Sequence, residues 1–171
     1  MTELHFRSAS DLGRIMRRRE LSSVELTGHY ISRIEKFDGK TNAVVARDFD
    51  RAMSLAKQAD EAFARDEILG PLHGLPFTIK DAYEVEGIVS TGGNPAWKDH
   101  VPAHSAVAVE RLQRAGGIVM GKTNVPYLPG DLQSYTAIYG TTNTPWALEC
   151  APGGPPAGSH APLHAGRPPT A

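Results

Sequence analysis

The sequence predicts an α/β domain, and three observations carry that expectation. Stretches with apolar residues at helical spacing alternate with short apolar runs, in the order helix, helix, strand, helix, strand, helix, strand. Gly39, Gly70-Pro71 and Gly116-Gly117 punctuate the alternation where turns are needed. At 171 residues the chain is long enough for one domain with a real core and hardly for two.

The elements follow in order. Ser10 or Asp11 can cap a first helix that carries Leu12, Ile15 and Met16. Ser22 or Ser23 opens a second, with Val24, Leu26, Tyr30, Ile31 and Ile34 on one face and Gly39 as its stop. Ala43 to Ala46 is a short strand, and Asp50 starts an Ala-rich third helix to about Ala64. Gly70 to Gly74 is a turn into the strand Leu75 to Ile79, which ends at Lys80-Asp81. After a Gly-, Pro- and His-rich loop from Gly87 to Ala103, Ser105 to Ala115 is a helix with Val107, Val109 and Leu112 apolar. Ile118 to Met120 is a further strand, and a polar and aromatic loop fills Gly121 to Trp146.

The ordered domain is expected over 1–150. The remainder, 151–171, has six prolines and four glycines with Leu163 as its one bulky aliphatic residue, too little apolar surface to fold.

Charge excludes several functions. Lys plus Arg, 18, nearly balances Asp plus Glu, 19, which argues against nucleic-acid or membrane-surface binding driven by bulk charge. The basic run Arg17 to Arg19 reads as the solvated end of a helix. A single cysteine, Cys150, excludes a disulfide framework and a cysteine metal site. The N-terminus lacks a signal peptide's apolar core and no run reaches membrane-spanning length, so a cytoplasmic protein is expected.

Gly116 to Thr123 matches the G-x-x-x-x-G-K-[ST] pattern of a phosphate-binding loop. The surroundings disagree: a helix precedes it, its interior is the apolar run Ile118-Val119-Met120, and Asn124-Val125-Pro126 follows where a helix should start. The histidines are scattered and read as surface or loop residues; His100 and His104 have i, i+4 spacing with Pro102 between them and no third ligand. Lys80 asks for more explanation. It ends an apolar strand beside Asp81, where open α/β sheets place functional groups. Burial there would lower its pKa and make it a base; a structural Lys80–Asp81 pair explains the position equally well.

Four segments in order resemble the amidase-signature hydrolases. Gly70 to Asp81 (GPLHGLPFTIKD) is similar to the strand bearing that family's catalytic lysine, and Gly121 to Pro126 (GKTNVP) to its next landmark. Tyr139 to Trp146 (YGTTNTPW) resembles the approach to its serine loop, and Pro152-Gly153-Gly154 the loop's start. The resemblance runs from about Ser8 to Gly154. It implies a mixed β-sheet covered by helices on both faces, of which this chain supplies the N-terminal part. It also implies hydrolysis of amide C–N bonds by a Ser-Ser-Lys triad without metal or cofactor, acting on a small-molecule amide. Lys80 is then the base toward a bridging serine, which relays a proton from the nucleophile. Asp131 and Gln133 fall in a stretch that resembles part of the substrate cleft.

The pattern breaks after Gly154. Where the family has two serines the chain has Pro155-Pro156, which carry no hydroxyl and no N–H. The nucleophile's place lies past Ala171. Ser159 is a weak substitute in an unsupported segment. Codons for Pro-Pro-Ala-Gly-Ser, read one base earlier, permit Ser-Ser-Gly-Gly-Glu, so a base lost near codon 155 is one expected origin of the segment. The expectation is therefore a truncated, inactive amidase. A non-catalytic binding or structural fragment is the alternative, and nucleotide binding through Gly116 to Thr123 a distant third.

Overall fold

The structure is a computed structural model, and it describes residues 4–128 and 134–152. Helix α1 covers Ala9–Arg17, α2 Ser23–Thr41, α3 Phe49–Ala64 and α4 Val107–Arg114. The strands are β1 Val44–Arg47, β2 Pro76–Lys80 and β3 Ile118–Thr123, followed by the two-residue pair β4 Tyr135–Thr136 and β5 Gly140–Thr141.

The helix ends correct two sequence expectations. The cap of α1 is Ser8, not Ser10 or Asp11: Ser8 is extended, its Oγ accepts the Asp11 N–H, and it donates to the Asp11 carboxylate at 2.8 Å. Helix α2 opens as expected at Ser22, whose hydroxyl and the Glu25 carboxylate satisfy each other's backbone N–H groups. It does not stop at Gly39. It continues to Thr41 because the turn-forming residue is Asn42, held left-handed at φ 47°. Asp38, on the last turns, accepts the N–H groups of Ala43 and Val44 and so leads the chain straight into β1.

Strand β3 is central, with β1 antiparallel on one side and β2 parallel on the other. One face packs Leu12, Met16, Leu26, Tyr30 and Ile34, with the alanines of α3, against Val44, Ile118 and Met120. The other packs Phe77, Ile79 and Val119 against Val85, Ile88 and Val109 of the following turn and α4. Helices thus lie on both faces of a mixed sheet. Helix α4 is shorter than expected, and Val107 is 63% exposed. Val109 and Leu112, three apart, share the inner face, while Val107 lies two positions off it.

The β2–β3 register carries a bulge. Phe77 pairs with Val119 but Thr78 pairs with Gly121, so Met120 is the extra residue. Each later residue of β3 therefore changes face, and Lys122, in register with Ile79, turns to the α4 side. Gly121 makes the close approach possible: a Cβ there would stand 2.3 Å from the Ala46 carbonyl oxygen of β1. The expected 121–146 loop accordingly begins as buried strand and contains the β4–β5 hairpin. Among the described residues no helix is long and apolar enough to cross a membrane.

Candidate active site

Strand alternation decides what Lys80 can meet. Phe77 and Ile79 face α4, so Thr78 and Lys80 face the opposite side. Lys80 is half-buried at the strand's C-terminal end, in register with Thr123 of β3. Its Nζ makes no hydrogen bond or ion pair with a described residue. Behind it, the Thr78 hydroxyl is fully buried and without a hydrogen-bond partner among the described residues.

The expected alternative of a structural Lys80–Asp81 pair is corrected. Adjacent residues of an extended chain point apart, and Asp81 sends its carboxylate to the other side. There Asp81 Oδ1 accepts from Lys122 Nζ at 3.1 Å, while Thr91 donates to the carboxylate through both its N–H and its hydroxyl. Lys122 Nζ also donates to Ser90 Oγ at 2.7 Å. Lys122 is fully buried, and burial lowers its pKa from the ordinary lysine value against the opposing pull of Asp81 and then Glu84. Tyr139 of the hairpin is pushed up, first by burial and then by the Asp81 charge.

This buried Asp81–Thr91–Ser90–Lys122 cluster was missed in the sequence. Its one signal was Lys122 inside an otherwise apolar strand, where the phosphate-loop pattern drew attention instead. That pattern now falls. Residues 118–123 are a fully buried strand, Gly116 packs on the His73 backbone, and Lys122 has no surface to offer a phosphate.

A second polar lattice seats the segment from 134 onward. The Asn42 amide donates to the carbonyls of Tyr139 and Thr141, and Asn124 donates to the Gly140 carbonyl and to Thr142 Oγ1. The Thr142 hydroxyl donates to the Asn42 carbonyl, and Asn143 N–H to that of Thr41. The end of α2, the end of β3 and the hairpin are thereby fixed together beside Lys80's strand.

Of the sequence-derived site residues the structure places Lys80 alone. Asp131 and Gln133 lie outside the described residues, as do Pro155, Pro156 and Ser159. His100 Nε2 donates to Glu84 at 2.7 Å in the exposed loop. His73 departs from the surface expectation: it is buried, with Nδ1 accepting the Leu69 N–H and Nε2 donating to the Ala59 carbonyl.

The fold and the Lys80 strand have known counterparts. Residues 25–170 match the model of the Amidase family, and the chain belongs to that family. It is 37% identical over 164 residues to a glutamyl-tRNA(Gln) amidotransferase subunit from Moorella thermoacetica, a match that covers 96% of this chain and 34% of that protein. A fatty acid amide hydrolase structure superposes with a TM-score of 0.89 at 25% identity, over 95% of this chain and 29% of that one. The peptide amidase of Stenotrophomonas maltophilia gives 0.84 at 29% identity, over 91% and 33%. The chain thus spans about a third of the length of the curated relatives it matches.

Proposed function

We propose that this chain is the N-terminal part of an amide hydrolase in which Lys80 is the base of a Ser-Ser-Lys mechanism, and that residues 1–171 alone do not turn over. The observation that carries the reading is the placement of Lys80. It stands half-buried at the end of β2, on the face away from Asp81, whose charge is already committed to Lys122. A lysine so placed, with no carboxylate paired to it, can face a hydroxyl supplied by the serine loop. With prolines at 155 and 156 the relay hydroxyl is missing, and Lys80 has no chemistry to pass on. The complete protein acts, on this reading, on a small carboxylic amide in the cytoplasm, with no metal or cofactor. Asp131 and Gln133 belong to its substrate cleft, and the ordered domain ends near 150.

The prolines have two origins to separate. A lost base near codon 155 puts the remainder of an amidase in another frame. A second origin is an in-frame loop with altered residues; the family match extends to residue 170. Sequencing the DNA across codon 155 separates the two. The activity test uses the purified chain and a panel of small aryl and aliphatic amides. No hydrolysis is expected. Restoring Ser-Ser at 155–156 together with the downstream coding region should restore it, and Lys80→Ala should then remove at least about a thousandfold of the rate. Turnover by the 171-residue chain, or a restored enzyme indifferent to Lys80→Ala, would refute the reading.

A further inference from the structure

Outside the Lys80 face, the turn after β2 and the loop ahead of α4 enclose a pocket of about 310 Å3, open on one side. Its deep wall is Asp81 and Ser90: Ser90 Oγ is filled by Lys122, the Val85 N–H and the Ile88 carbonyl, and the Asp81 charge already faces the Lys122 ammonium and the two donors of Thr91. Selection therefore falls to the outer wall, made by Ala82, Glu84, Trp97 and His100.

That wall is rigid. Glu84 accepts from His100 Nε2 at 2.7 Å through Oε1, and its second oxygen is uncommitted among the described residues. The Glu84 carbonyl is held by the Ala106 N–H, and His100 is held at both backbone ends, by the Trp97 carbonyl and the Ser90 N–H. The Trp97 ring places Cζ3 and Cε3 within 4 Å of where a Cβ on Gly92 would stand. It is about half exposed. An indole and a half-free carboxylate lining one recess both attract a cation. Among the described residues no group of three metal-ligating side chains forms, and a hard inorganic cation needs several oxygen ligands.

We infer that this pocket is a binding site for a small organic ammonium, its head group between Glu84 and the Trp97 ring and its alkyl part against Ala82. The site is independent of Lys80 and of the amidase reading, since Lys80 lies on the opposite face of the sheet.

Trp146→Phe leaves Trp97 as the single tryptophan, so its fluorescence reports the pocket directly. Titration of that protein with n-butylammonium chloride should give a saturable change, with n-butanol and sodium butyrate inactive at equal concentration and ionic strength. Glu84→Gln, which keeps the contact to His100 but removes the charge, should weaken binding about tenfold. Its far-UV circular dichroism should be unchanged, since the side chain is half exposed. No saturation with butylammonium, an equal response to butyrate, or full affinity in Glu84→Gln would each overturn the inference.

Discussion

Removing Lys122 would leave the Asp81 carboxylate and the Ser90 hydroxyl buried with a donor missing. A buried pair broken at one partner costs on the order of 3–5 kcal/mol, so Lys122→Met should lower the urea midpoint steeply while Lys80→Met, half-buried and unpaired, barely moves it. Equal effects would show that the cluster does not hold the sheet's end. Tyr30 gives a pH signature. Burial raises its hydroxyl from 10 to about 12, so the folded state keeps a proton that the unfolded chain releases. The stabilisation is complete below pH 10 and is lost as the pH rises from there toward 12, a fall of about 2–3 kcal/mol. Tyr30→Phe should remove that alkaline fall from a series of urea melts, and an unchanged profile would assign the fall elsewhere. Lys80 was legible in the sequence because its signal is local: an apolar strand, a terminal lysine and the resembling segment Gly70 to Asp81 that contains it. Lys122 and Asp81 were not. They are 41 positions apart, and what brings them together is the one-residue bulge at Met120, which no spacing rule announces.

At the level of the elements, α2 starts with more than its own cap. Asp60 of α3 reaches the free N–H groups at its first turn, taking Ser23 at 2.7 Å and Val24 at 3.0 Å. The negative charge also suits the positive end of the helix. Asp60→Ala should therefore cost about 1–2 kcal/mol in urea unfolding, at least as much as Ser22→Ala. A smaller loss for Asp60→Ala would mean that water replaces it without penalty. The helices themselves were readable from period and caps, and their errors were of a few residues. Ser8 caps α1 in place of Ser10 or Asp11 because its third successor is Asp11, whose N–H its hydroxyl accepts and whose carboxylate accepts its O–H. Gly39 misled because glycine tolerates helix interiors, whereas the left-handed Asn42 gave no sequence signal beyond its residue type.

In the whole molecule, β1 and β2 each have one strand neighbour among the described residues, the edge position at which a further strand can pair. Trp146 is 78% exposed and Leu148 43%, and Leu148 joins Phe6, Phe37 and Pro145, with Arg33, Lys40 and Thr41, around a recess. Surface of this kind favours self-association, and each large side chain left uncovered forgoes about 1.5–3 kcal/mol of burial. Trp146→Lys with Leu148→Glu should lower dye binding to exposed apolar surface and shift the chain toward monomer in analytical ultracentrifugation. An unchanged sedimentation profile would place the association at the strand edges instead. The asparagine lattice at the end of α2 also imposes an order in time. Asn42 and Asn143 reach partners 97 and 103 positions away in sequence. On a chain emerging from the ribosome N-terminus first, the helical layer finds its own partners early, while the end of α2 waits for about a hundred further residues. The fold therefore closes from front to back, and the asparagine contacts form late.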